Sequence, residues 1–88
     1  MLNQVVIVGR IVENDKDTLI IGVSRNYKNA NGEYDKDNLK VVIKGTMQNY
    51  TEYFEIGNII GVKGVLRNEN GEIVIVAEKI TMLSTHHN

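Results

Sequence analysis

Five segments rich in Val, Ile and Leu follow one another along the chain, and clusters of Asn, Asp and Gly separate them. Apolar and polar residues alternate through much of these segments, which is the pattern of half-buried strands. Short strands at this spacing are typical of a small closed all-β fold. The sequence predicts strands over residues 3–12, 18–28, 36–44, 58–67 and 72–82.

The connections between the predicted strands are polar. The first, residues 13–17, is a charged loop. Residues 29–33 and 68–72 each contain an Asn-Gly pair, which supplies the positive φ that primed hairpin turns require. Both of these connections are therefore predicted to join antiparallel hairpins.

One segment breaks the strand pattern between the third and fourth strands. Here Met47, Tyr50 and Phe54 recur at spacings of three and four, and Gly57 can take a left-handed cap. This pattern predicts a short helix, with Tyr50, Tyr53 and Phe54 in core and rim packing. Three strands, a helix and two strands is the order of an oligonucleotide-binding (OB) fold. The prediction is an all-β protein, a five-stranded OB-fold barrel with one short helix between strands three and four.

Length and composition indicate one small globular domain. The chain has 88 residues, of which 42% are hydrophobic and 24% charged, and we expect the OB-fold domain to span 1–83 and a disordered polar tail to span 84–88. The longest apolar run, residues 73–77, is far shorter than the ~20 residues of a membrane helix, and residues 1–4 lack the layout of a signal peptide. A cytoplasmic protein with no membrane partner is expected.

The absence of cysteine bears on assembly. No disulfide or zinc site compensates for a small core, so packing or oligomerisation must hold the fold. The segment Val5–Val8 is hydrophobic on both strand faces and leaves apolar surface to bury. We therefore expect a homodimer or homotetramer.

No group of residues points to catalysis. The two histidines, His86 and His87, lie together in the polar tail without Cys, paired-His spacing or a Gly-rich phosphate loop nearby. The carboxylates of the first two loops sit among Asn and Lys, without apolar neighbours that would raise a pKa. The sequence predicts no enzyme, no metal site and no cofactor.

Three stretches, in order and with compatible spacing, resemble bacterial single-stranded DNA-binding proteins. Their opening strand is similar to residues 3–11, NQVVIVGRI. Their second hairpin is similar to residues 29–33, NANGE, leading into 41–45, VVIKG, and their helix end and fourth strand to residues 53–66, YFEIGNIIGVKGVL. The resemblance covers about residues 1–83. It implies an OB fold that pairs subunits and binds single-stranded DNA without sequence specificity, in DNA replication, repair or recombination.

The chain departs from that family's pattern in two ways. Family members usually stack bases on several Trp and Phe side chains, whereas this chain has no Trp and one Phe, so stacking must be weaker or carried by tyrosine. Replication or repair proteins are candidate partners, although the acidic recruiting tail of the family is absent. The sequence leaves open two alternatives: a primosomal-type OB-fold adaptor that acts mainly through protein–protein contacts, and an RNA-binding OB module.

An OB barrel binds single strands across the outer face of strands two and three. If Leu39, Val41 and Ile43 are core residues, alternation places the intervening lysines on that outer face, where they either track phosphates or keep the strand soluble. Tyr27, flanked by Arg25 and a lysine, is the leading candidate to stack a base. The predicted nucleic-acid-binding residues are Arg10, Arg25, Tyr27, Lys28, Tyr34, Lys36, Lys40, Lys44, Lys63 and Arg67.

The net charge of −1 argues against a protein that coats phosphate by overall charge, so any nucleic-acid site must be a local patch. The acids concentrate in two loops, within residues 13–17 and 33–37, which predicts a sheet face more positive than the net charge. Arg10 is expected either to reach a phosphate or to pair with the acidic residues of 13–17.

Overall fold

Five strands and one 3₁₀ helix make up residues 3–84, the part of the chain that this computed structural model describes. The strands are β1 (Val5–Asn14), β2 (Thr18–Lys28), β3 (Tyr34–Val42), β4 (Ile59–Glu69) and β5 (Glu72–Ser84), and the 3₁₀ helix spans Gly45–Tyr53. The strands close into a barrel in the order β1-β2-β3-β5-β4. The predicted five-stranded barrel with one short helix between β3 and β4 is confirmed.

The barrel interior is filled by alternate residues of each strand. β2 contributes Leu19 and Ile21, and β3 contributes Val41, followed by Ile43 just beyond the strand end. These four side chains have no exposed surface, and Val23 and Leu39 pack against them from the same strand faces. The inward alternation predicted for strands two and three is therefore confirmed, and the outward positions of both strands are left on the barrel surface.

Barrel closure depends on two pairings that are distant in the chain. β3 and β5 run parallel, with Val41 opposite Ile75 and Val42 opposite Val76. β1 pairs with β4 over residues 5–10 and with β2 over residues 10–14, and its register shifts between Ile11 and Glu13. Because of this irregularity, β1 pairs with β4 in its first half and with β2 in its second half.

The two Asn-Gly connections both join antiparallel strands, but their turns differ. Asn70 and Gly71 both have positive φ, 56° and 82°, which is the two-residue primed turn expected there. In the β2–β3 hairpin only Gly32 has positive φ, and the expected primed turn is replaced by a five-residue loop. The reason is Asn29, whose side-chain oxygen accepts hydrogen bonds from the backbone N–H groups of Asn31 and Glu33.

The helical segment is present but packs differently from the prediction. Met47 and Phe54 do pack against the core, whereas Tyr50 and Tyr53 are 60% and 66% exposed, so their assignment to core and rim packing is wrong. A 3₁₀ helix has three residues per turn, which aligns Met47, Tyr50 and Tyr53 on one face. Met47 packs against the core from this face, whereas the rings of Tyr50 and Tyr53 extend beyond it and line a groove against β5. Gly57 has the expected positive φ, but it lies beyond the helix end, where its N–H donates to the carbonyl of Ile11.

Most of the predicted polar tail, residues 84–88, lies outside the described residues, and so do His86 and His87; Ser84 is the last residue of β5. Within residues 3–84, no helix is long and apolar enough to cross a membrane.

Candidate nucleic-acid interface

The outer surface of β2 and β3 is defined by its cross-strand pairs. Ser24 lies opposite Lys36 and Ile20 opposite Lys40. Between them Gly22 is paired on both sides, with Asn38 of β3 and with Arg10 of β1. This surface therefore extends across three strands. We call it the β2–β3 face. It comprises the outward positions of β2 and β3, those of β1 from Arg10 onwards, and Lys44.

Three lysines share this face, as predicted. Lys36 and Lys40 lie on β3 and are exposed, and Lys44 follows two residues after the strand end, with its backbone still extended at φ −123° and ψ 158°. A continuous extended segment therefore presents an ammonium group at every fourth residue. This lysine row, made of Lys36, Lys40 and Lys44, can follow the phosphates of a single strand of DNA.

Two of these lysines already contact carboxylates, however. Lys40 Nζ lies 3.5 Å from Glu72 Oε2, and Lys44 Nζ lies 2.9 Å from Glu69 Oε2. These two carboxylates lie outside the two acidic loops and offset part of the positive charge that was predicted for this sheet face. Glu69 and Glu72 could not be placed at this face from the sequence, because the parallel β3–β5 pairing that brings the start of β5 beside β3 has no local signal.

Arg25 also forms ion pairs, with two aspartates of β3. Its Nη2 donates to Asp37 Oδ1 at 2.9 Å and its Nε to Asp37 Oδ2 at 3.1 Å, while Asp35 Oδ2 lies 3.9 Å from its Nη1. The hydrogen bonds from Arg25 lower the pKa of the Asp37 carboxyl, and the same hydrogen bonds raise the pKa of Arg25. This pairing occupies the Nε and Nη2 donors of the guanidinium, which lies near Tyr27.

The β2–β3 hairpin presents two tyrosine rings. Tyr27 is 62% exposed and Tyr34 is 54% exposed. Lys28 lies opposite Tyr34 in the strand register, and its ammonium group is 5.8 Å from the centre of the Tyr34 ring, which is a cation–π distance. The predicted cluster of Tyr27, Lys28 and Arg25 thus extends to Tyr34, with Lys28 against the second ring.

Arg10 contacts a backbone carbonyl and not the acidic loop, and its expected contact with a phosphate stays a prediction. Its Nη1 donates to the carbonyl of Gly57 at 2.8 Å, so the predicted pairing with residues 13–17 is wrong. Gly57 lies two residues before Ile59, which is opposite Arg10 in the β1–β4 register, so its carbonyl is within reach of the guanidinium. Arg10 and Lys36 line a shallow groove of about 310 Å³ with Val8 and Ser24.

The remaining two predicted residues lie on β4. Lys63 is exposed opposite Val6 of β1 and Lys79 of β5, on a different side of the barrel from the lysine row. Arg67 is exposed two residues before Glu69, so alternation places it on the same face of β4 as that carboxylate. The fold therefore brings Arg67 towards the row and leaves Lys63 apart from it.

Solved structures similar to this chain share its barrel. The protein PriB from Ralstonia solanacearum superposes with a TM-score of 0.75 at 13% identity, covering 94% of this chain and 99% of that one. A deletion mutant of the single-stranded DNA binding protein from Thermus aquaticus gives 0.71 at 20% identity, covering 94% and 51%. At these identities the likeness shows the fold alone. The class of protein is therefore an OB-fold barrel.

Sequence relatives identify the protein family more specifically than the fold does. No family profile matches the chain. It is 31% identical to single-stranded DNA-binding protein 2 of Staphylococcus aureus strain Mu50, over 91% of this chain and 68% of the relative. It is 32% identical to single-stranded DNA-binding protein B of Bacillus subtilis, over 89% and 83% respectively. The chain belongs to the family of single-stranded DNA-binding proteins.

Proposed function

We propose that this chain is a non-catalytic protein that binds single-stranded DNA without sequence preference. The observation that carries the proposal is its 31% identity to a single-stranded DNA-binding protein over 91% of its length. The cationic β2–β3 face supports it, because phosphate contacts of lysines carry no base information. The primosomal-type adaptor is not favoured, since the sequence relatives reported above are named for single-stranded DNA binding.

In this proposal a single strand of DNA lies along β3, and its end contacts the β2–β3 hairpin. Lys36, Lys40 and Lys44 contact successive phosphates, and the Tyr27 ring stacks a base. Secondary roles fall to the other basic and aromatic groups of the predicted set: Arg10, Arg25, Lys28, Tyr34, Lys63 and Arg67. Because two of the three lysines contact carboxylates and no Trp is present, we expect weak binding at physiological salt.

The proposal includes assembly as a homodimer or homotetramer. Val6 and Val8 of β1 are 73% and 54% exposed, although both are aliphatic and neighbours on one strand face. A second copy would cover them. Action in DNA replication, repair or recombination, and a cytoplasmic location with the nucleic acid, belong to the same proposal.

Titration of fluorescent oligo-dT and oligo-U at two salt concentrations tests the proposed function. We expect saturable oligo-dT binding that weakens with log salt, by a slope of about −0.7 for each phosphate contacted. Oligo-dT affinity that does not change with salt, or no binding at low salt by folded protein, would contradict the proposal. Tighter binding of oligo-U than oligo-dT would make the ligand RNA.

A further inference from the structure

The β4–β5 hairpin turn lies against the lysine row. Glu69 and Glu72 flank the Asn70-Gly71 turn and lie opposite each other at the last step of the β4–β5 ladder. Each reaches a different lysine, at 2.9 Å for Lys44 and 3.5 Å for Lys40. One hairpin thus supplies a carboxylate to each of two neighbouring phosphate-binding candidates.

These carboxylates are positioned by regular structure. The parallel pairing of β3 and β5 sets the start of β5 beside the end of β3, and the two-residue primed turn sets Glu69 across from Glu72. The carboxylates are therefore carried by a paired hairpin and not by a long loop, so their distance from the lysines is set by the barrel.

A carboxylate and a phosphate compete for the same ammonium group, because both are anionic oxygen acceptors. The two ion pairs are open to solvent, with side-chain exposures between 37% and 60%, so a phosphate can reach the lysines. Solvent-exposed ion pairs of this kind contribute little to folding stability. They nevertheless place two negative charges beside three positive ones, Lys36, Lys40 and Lys44, and a bound strand must approach all five.

Resting on the proposed function, we propose that Glu69 and Glu72 limit the affinity of the site: they hold Lys44 and Lys40 in the free protein and are displaced by phosphates when single-stranded DNA binds. The hairpin then acts as an internal anionic competitor. It lowers the affinity for the strand, which then depends on two residues that do not contribute a favourable contact to the ligand.

The test compares Glu69→Gln, Glu72→Gln and the double variant with the parent in oligo-dT titrations. At about 10 mM salt, where the screening length is about 30 Å, each single variant should bind about two- to fivefold more tightly. The gain should shrink at about 0.1 M salt, where that length is about 10 Å. Glu52→Gln, which makes the same charge change on the 3₁₀ helix, is the matched control and should bind as the parent does.

A double-mutant cycle locates the effect. In a Lys44→Ala background, Glu69→Gln should give no gain, because the lysine that it releases is absent. Equal gains from Glu52→Gln and Glu69→Gln, or a gain that survives Lys44→Ala, would show a general charge effect and overturn the inference. If the parent binds and the glutamine variants bind no better, the inference fails and the proposed function stands. If neither the parent nor the double variant binds, both fail.

Discussion

Tyr27 and the lysine row should give opposite signatures when they are removed. Tyr27→Ala is expected to cost about 1 to 3 kcal/mol of oligo-dT binding with little change in salt slope, since stacking releases no counterion. Lys40→Ala and Lys44→Ala, about 13 Å apart along extended backbone, should each reduce the slope by about 0.7 or less. Titrations over a salt series measure both quantities. Parent-like binding by Tyr27→Ala and by the double lysine variant, with unchanged melting temperatures, would place the site elsewhere.

Asp37 should make stability depend on pH. Its hydrogen bonds from Arg25 lower the pKa of the carboxyl below its ordinary value of 3.8, so the folded state binds this proton less readily than the unfolded state. The stabilisation is therefore present above pH 3.8 and is lost as the pH falls through the lower, folded-state pKa. Asp37→Asn should melt below the parent at pH 7, and the gap should close in strong acid.

Thermal melts of both proteins across this pH range check that prediction. Glu52→Gln, which also removes one negative charge, is the control for a general charge effect. A gap between parent and Asp37→Asn that stays constant down to pH of about 2 would mean that the carboxyl titrates alike in both states.

Local patterns predicted which side chains lie on the outer face, but not what each of them contacts. Alternation places Lys36, Lys40 and Lys44 outward from their neighbours alone. Their partners depend on register between strands: Glu69 is 25 residues away from Lys44 in the chain. Such pairing depends on how the barrel closes, and one sequence carries no direct signal of that closure.

The strands themselves were predictable because each has its own apolar residues and a turn signal at its end. The Asn70-Gly71 turn has the predicted geometry, since the hairpin register gives it two residues and no side chain intervenes. The β2–β3 connection contains the same dipeptide, yet the hydrogen bonds of Asn29 select a longer loop. In the helix, the change from 3.6 to three residues per turn moved Tyr50 and Tyr53 out of the predicted packing.

Alanine substitution should change the free energy of unfolding by different amounts at two glycines of β4. At Gly64 an added Cβ would overlap the carbonyl oxygen of Val76 in β5 and would lie 3.2 Å from the Cα of Ala77. At Gly61 its nearest neighbour would be Leu83 Cδ1 at 3.6 Å, an ordinary contact. We expect Gly64→Ala to lose about 1 to 3 kcal/mol of unfolding free energy, because backbone must move, and Gly61→Ala to change it by about 0.5 kcal/mol or less.

Urea unfolding of the two glycine variants measures this difference directly. Similar midpoints for Gly64→Ala and the parent would show that β4 and β5 can separate at this point without cost. That outcome would contradict the close approach of β4 and β5 at Gly64.

The first half of β1 has one edge without a strand partner. Residues 5–10 of β1 pair with β4, and β2 takes over only from Arg10, so among residues 3–84 the second edge of Val5–Val8 pairs with no strand. Such an edge presents free N–H and C=O groups to another chain. Beside it, Val6 and Val8 face outward, and Leu83 of β5, close to Gly61, is 53% exposed. Edge and apolar surface together favour pairing with a second copy.

Val6→Lys should therefore dissociate the assembly, because a lysine ammonium would be buried against the second copy without a partner. The parent is expected at two or four times its 9.9 kDa chain mass in light scattering at micromolar concentration, and the variant at one. Val12→Lys is the matched control, since it makes the same change in the half of β1 that pairs with β2, and its mass should equal the parent's. A monomeric parent would contradict the prediction outright, and a folded Val6→Lys variant that keeps the parent's mass would move the interface away from this edge.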